Sequence, residues 1–151
     1  MPSDLTIRAE GGVAFEDGPD RGRILVFGRQ TGGRYGLMEW TVAAAEGPVL
    51  GYGAHLHRDM EETFFVRRGE LRFLLGDEVT TLGAGDFVRV PPGVRHGYAN
   101  LSGAPVELLV SFHPGGFEEL FLKYRTDQPT PLGDGFVADA TRLHASEFEP
   151  N

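Results

Sequence analysis

The sequence predicts an all-β fold, a barrel or sandwich of short strands with one short helix after them, and three observations carry that expectation. Short apolar segments recur at Ile24–Phe27, Leu37–Ala43, Tyr52–His57, Thr63–Val66, Leu71–Leu75, Asp86–Val90, Val94–Ala99 and Val106–Phe112, separated by Gly, Pro or charged breaks. No helical period lies between them, which favours a sandwich or barrel over a parallel βαβ sheet. The 22 Gly and 10 Pro among 151 residues are scattered without a period, as many tight turns require.

Leu37–Ala43 shows the local logic most clearly. Met38, Trp40 and Val42 share one face and Glu39 and Thr41 the other, the period-2 pattern of a strand with one wet side. The period changes after Pro114-Gly115-Gly116: Phe117, Leu120, Phe121 and Tyr124 fall at i, i+3, i+4 and i+7, the apolar stripe of a short amphipathic helix. Beyond Asp127, with Pro129, Pro131 and Gly133, the reading is a loop, then a packed or frayed tail over Phe136–Leu143. The expected organisation is a single domain over 1–151, with a barrel core at about 24–113, a helix at about 115–125 and a tail at 126–151.

Composition narrows the function. Hydrophobic residues at 40% and charged residues at 24% are those of a folded globular chain. Fourteen Lys and Arg against 22 Asp and Glu leave a net charge of -8, which argues against nucleic-acid binding. Cysteine is absent, so disulfides, Fe–S clusters, thiolate zinc sites and cysteine nucleophiles are excluded, and any metal must use His and carboxylates. The start, MPSDLTIRAEGG, has no apolar signal core and no segment has the length of a membrane span, so a soluble cytoplasmic protein without membrane partners is the expectation.

Two blocks hold the chemistry. In His55-Leu56-His57, residues i and i+2 on a strand aim two imidazoles at one point, and a turn around Arg58–Glu61 returns the Glu62 carboxylate toward them. Glu61 competes with Glu62, and Glu62 is preferred because six residues separate it from Gly69. In the second block, from Gly85 to Asn100, Pro91-Pro92-Gly93 redirects the chain and launches a strand near His96, a candidate third imidazole.

These blocks resemble the two motifs of the cupin superfamily. The first, G-x5-H-x-H-x3,4-E-x6-G, is carried by His55, His57, Glu62 and Gly69; its leading Gly falls on Val49, with Gly51 two residues later. The second, G-x5-P-x-G-x2-H-x3-N, is matched throughout by Gly85, Pro91, Gly93, His96 and Asn100. Fifteen residues separate Gly69 from Gly85, similar to the short intermotif of small bacterial cupins. The resemblance implies a double-stranded β-helix, or jelly-roll barrel, with His55, His57, Glu62 and His96 as ligands of one divalent metal per chain, and a homodimer.

The metal would be Fe, Mn, Ni, Cu or Zn, since imidazole and carboxylate suit them all. Three neutral imidazoles and one carboxylate around a divalent ion leave a +1 site that favours an anionic oxygen such as an enolate, phenolate or carboxylate. The expected partner is therefore a small anionic or enolisable, or aromatic, metabolite. With a redox-active metal the resemblance implies a dioxygenase; with Zn it implies a non-redox polyketide cyclase or isomerase. A non-catalytic small-molecule-binding cupin is the third reading.

Other residues have weaker claims. His113 ends the Val106–Phe112 strand and is a candidate acid/base or extra ligand, alongside the commoner role of a hydrogen-bonded strand-end histidine. Arg95, like Arg58 and Arg89, is a candidate for binding a substrate anion, and Trp40, Phe64, Phe73, Phe87 and Tyr98 for an aromatic pocket or core. His144 reads as a surface residue and Asn100 as a turn-fixing one.

Overall fold

The computed structural model describes residues 5–46, 53–124 and 134–149. Among the described residues, eleven strands form two antiparallel sheets. The first runs β1(Val13–Asp17), β2(Asp20–Val26), β3(Gly36–Val42), β10(Val106–His113), β5(Glu61–Arg68) and β8(Phe87–Val90) across the sheet. The second runs β11(Ser146–Phe148), β4(His55–His57), β9(His96–Ala99), β6(Glu70–Leu75) and β7(Glu78–Gly83). Helices α1(Glu118–Lys123) and α2(Asp134–His144) follow β10. Tyr52, Val49, Gly51 and the Pro129–Gly133 loop lie outside the described residues.

Strict alternation builds the first sheet's inner face. Met38, Trp40 and Val42 of β3 and Val106, Leu108, Val110 and Phe112 of β10 all turn inward, and the strands pair residue for residue from Val106↔Val42 to Phe112↔Gly36. On the outer face Glu39 bridges Arg23 and Arg67. Leu71 and Phe73 of β6 meet this layer from the facing sheet, giving the jelly-roll arrangement the motifs imply.

The sheets extend beyond the expected core. β1 escapes sequence reading because only Phe15 in it is buried, and β7 because it is a polar edge strand whose one buried side chain is Leu82. The C-terminal tail is packed: Phe136 and Ala140 of α2 are buried against α1, and β11 pairs with β4. Three residues are too few for a periodic signal, so this strand exists because β4 offers it an open edge. No helix among the described residues is long and apolar enough to cross a membrane.

Candidate metal centre

Both sheets contribute to one cluster. His55 and His57 lie on β4 and His96 on β9, where His55 pairs directly with His96. Glu62 comes from β5 in the opposite sheet, turned inward with Phe64 and Val66 by the same alternation that sends Glu61 outward to Arg89. The connection 58–60 is short, and Gly93, at φ 78°, donates its backbone N–H to the His57 carbonyl at 2.7 Å, locking the second motif onto the first. Gly69, at φ 91°, makes the β5–β6 turn against the Pro105 carbonyl, where a side chain would be crowded as well as strained.

One donor atom from each of His55, His57, Glu62 and His96 lies within 4.8 Å of the others. The Nδ1 atoms face outward, to the Gly53 carbonyl at 2.8 Å for His55, the Ser146 hydroxyl at 2.7 Å for His57 and the Val94 carbonyl at 3.0 Å for His96. The His57 and His96 Nε2 atoms meet the same Glu62 oxygen, Oε2, at 3.1 and 3.0 Å. A neutral His96 that donates from Nδ1 has a bare lone pair on Nε2, facing a carboxylate oxygen that also only accepts. Either a proton on Nε2 or a metal ion satisfies that contact, and a metal ion would let neutral imidazoles and one carboxylate act together as ligands, so the donor set fits a divalent metal.

Burial raises the Glu62 carboxyl, but hydrogen bonds from His57 and His96 outweigh it and hold the group well below the usual carboxylate range. Burial pushes the His55 imidazole down to about 4, helped by His96. His96 is also penalised by burial, yet its contact with Glu62 raises it.

His55 and Glu62 form one wall of a cavity of about 840 Å³, within the size range of small-molecule sites. Its apolar lining includes Trp40, Phe64, Phe117, Phe121, Phe136 and Phe148. Trp40 Nε1–H donates to the Tyr98 hydroxyl at 2.8 Å, so the phenol's own proton points elsewhere. Of the aromatic candidates, Trp40, Phe64 and Tyr98 line the cavity, Phe73 is core and Phe87 is 58% exposed on the outside.

The remaining candidates lie apart from this cluster. His113 is exposed beyond the inward face of β10 and bonds Ser111 Oγ at 2.8 Å. Arg95 pairs with Glu149 and the Gly76 carbonyl, Arg58 with Glu147, and Arg89 with Glu61. Asn100 ties the turn together, donating to the Val42 and Ala104 carbonyls and accepting from Ser102. His144, read as a surface residue, is instead half-buried with its ring edge against Phe117, because α2 folds back over the barrel.

Two acids and the tail were not singled out by sequence. Asp17 and Asp20 face each other across the β1–β2 turn and line the cavity. Asp17 Oδ1 is, among the described residues, the buried side-chain polar atom without a hydrogen-bond partner. Burial, reinforced by Asp20, pushes the Asp17 carboxyl up to about 6. No sequence signal marks Asp17, since its five-residue strand shows no apolar alternation and buries only Phe15. Ser146 and Phe148 alternate along β11 as His57 and His55 do along β4, but that parity has meaning only once the strands are paired.

Comparisons with known proteins follow the same lines. The family model of the Cupin domain matches residues 39–112. A predicted oxalate decarboxylase from Thermotoga maritima superposes with TM-score 0.63 at 14% identity, covering 72% of this chain and 98% of its own. A sugar phosphate isomerase of the cupin superfamily from Silicibacter pomeroyi gives 0.57 at 18%, covering 72% and 74%. The Streptomyces nucleoside dehydratase Pac13 gives 0.57 at 18%, covering 76% and 85%. At these identities the likeness is one of fold. No curated protein is significantly similar in sequence. The family match spans both motif blocks, the solved neighbours share the barrel that holds them, and residues 39–112 of this chain are a cupin domain.

Proposed function

We propose that this cupin is a metal-dependent enzyme acting on a small aromatic or enolisable metabolite that enters with an anionic oxygen toward the metal. The observation that carries this reading is the convergence of His55, His57, Glu62 and His96 at one wall of an aromatic cavity. Those four residues would hold one Fe, Mn, Ni, Cu or Zn ion, which supplies a Lewis acid and, if redox-active, a partner for O2. His55 and Glu62 border the cavity, while the aromatic walls orient a flat substrate and exclude water. Oxygenation is placed first because a redox-active ion held by these four residues would supply O2 chemistry.

A specific observation favours a second reading, isomerisation, cyclisation or dehydration without O2. Asp17 lines the cavity and carries a buried carboxylate oxygen without a partner, and a carboxyl held near pH 6 is suited to taking a proton from an enolisable carbon and returning it. Asp20 keeps that carboxyl raised, and Tyr98 is a nearby hydroxyl donor.

The experiment is an oxygen-electrode screen of metal-replete protein with phenolic and enolic substrates, run beside solvent-deuterium incorporation. Substrate-dependent O2 uptake supports oxygenation; deuterium incorporation without O2 uptake, lost in Asp17→Asn, supports the second reading. A homodimer has a candidate surface in Phe65 and Phe87, register partners exposed on the outer face at 37% and 58%. Sedimentation of wild type and Phe87→Glu tests it.

A further inference from the structure

The C-terminal strand mirrors the strand that carries two of the ligands. Ser146 is the register partner of His57 and Phe148 of His55. Ser146 is fully buried with Oγ 2.7 Å from His57 Nδ1, and the Phe148 ring stacks on His55 at 5.3 Å between centroids. Backbone bonds fasten the strand at both ends, from Arg58 N–H to the Ala145 carbonyl at 3.0 Å and from Glu149 N–H to the Ala54 carbonyl at 2.9 Å. Ion pairs from Arg58 to Glu147 and from Arg95 to Glu149 reinforce it from outside. The strand itself lies beyond the residues matched by the family model.

We infer that β11 is the outer layer of the metal centre, with Ser146 as a positioning residue that holds His57 in the tautomer and ring orientation that direct its Nε2 lone pair to the metal. The inference rests on the metal reading above. The His57 ring carries a single proton when neutral, and its Nε2 faces Glu62 Oε2 and the other donors. A ligating Nε2 requires that proton on Nδ1, where the Ser146 oxygen accepts it. When Ser146 Oγ accepts from His57, the His144 carbonyl, 3.5 Å away, is the acceptor on the side of its own proton. Nothing else among the described residues bonds Nδ1 of His57, so without the hydroxyl the buried ring is free to exchange tautomers.

Cobalt(II) titration of full-length wild type, Ser146→Ala and Glu147→Ala, followed by visible absorption, tests this. Ser146→Ala is expected to bind Co2+ about 10- to 100-fold more weakly and with a shifted d–d spectrum. Glu147→Ala, which loosens the same strand by removing the Arg58 pair, is expected to keep wild-type affinity and spectrum. Wild-type affinity and spectrum in Ser146→Ala would overturn the inference while leaving the metal reading intact. Equal loss in both variants, without a spectral change, would reduce Ser146 to holding the strand and overturn its positioning role. Failure of wild type to take up Co2+ would overturn the metal reading and this inference together.

Discussion

Glu62 crosses from the six-stranded sheet to bring its Oε2 within 3.0 Å of His96 Nε2 in the five-stranded sheet. A cation at that point ties the two layers together, so metal binding and sheet packing are coupled. Substituting Glu62→Gln should weaken metal binding at least about 100-fold, more than loss of an outer hydrogen-bond partner does, and should abolish the rise in melting temperature on metal addition. Glu61→Gln should leave both unchanged, because Glu61 faces Arg89 on the outside. Calorimetric titration and thermal melts of the two variants check this.

Asp17 makes stability depend on pH in a direction opposite to most carboxylates. Its carboxyl is raised from 3.8 to about 6, so the folded state holds the proton where the unfolded chain has released it. Its contribution is fully present below about pH 4 and is lost as the pH rises through 6. Asp17→Asn should therefore gain on wild type between pH 4 and pH 7.5, by about 1–2 kcal/mol after allowance for solvent screening. Urea midpoints of both proteins at the two pH values give the difference directly, and a pH-independent difference would remove Asp17 as its source.

Much of this was legible in the sequence, and what was not has physical causes. His55, His57, Glu62 and His96 could be placed together because strand parity and two spaced motifs converge, and the structure brings the four to one point. The apolar stripe of Phe117, Leu120, Phe121 and Tyr124 marked α1 for the same reason, a period long enough to count. Ser146 and Phe148 belong to a three-residue strand whose partner lies about ninety residues earlier, so only tertiary pairing reveals them. Asp17 was invisible because its strand pairs through backbone bonds while burying a single large side chain, Phe15.

The Trp40–Tyr98 hydrogen bond joins the two sheets across the cavity. Tyr98→Phe leaves the buried Trp40 N–H without its acceptor and should destabilise the protein by about 1–3 kcal/mol. The ring itself is retained, so the cavity keeps its apolar wall. Chemical denaturation combined with tryptophan fluorescence reads both effects, since Trp40 is the sole tryptophan.

Gly93 separates backbone strain from packing. Its φ of 78° suits glycine, and an added Cβ would meet nothing within 4 Å. Gly93→Ala should therefore cost about 1–2 kcal/mol from conformation alone. Because the Gly93 N–H holds the His57 carbonyl, the same change should also weaken metal affinity, whereas Gly76→Ala, equally uncrowded at φ 62° in the β6–β7 turn, should affect stability only. Thermal melts with and without metal distinguish the two.

The central claim is that the three histidines and Glu62 form a metal site. The most direct test is the metal-to-chain ratio of purified, tag-free protein by mass spectrometry, before and after reconstitution, for wild type and His96→Ala. The account predicts close to one divalent ion per wild-type chain and almost none in a soluble, folded His96→Ala protein. A wild-type chain that holds no metal even after reconstitution, or a His96→Ala variant that keeps full occupancy, would contradict it.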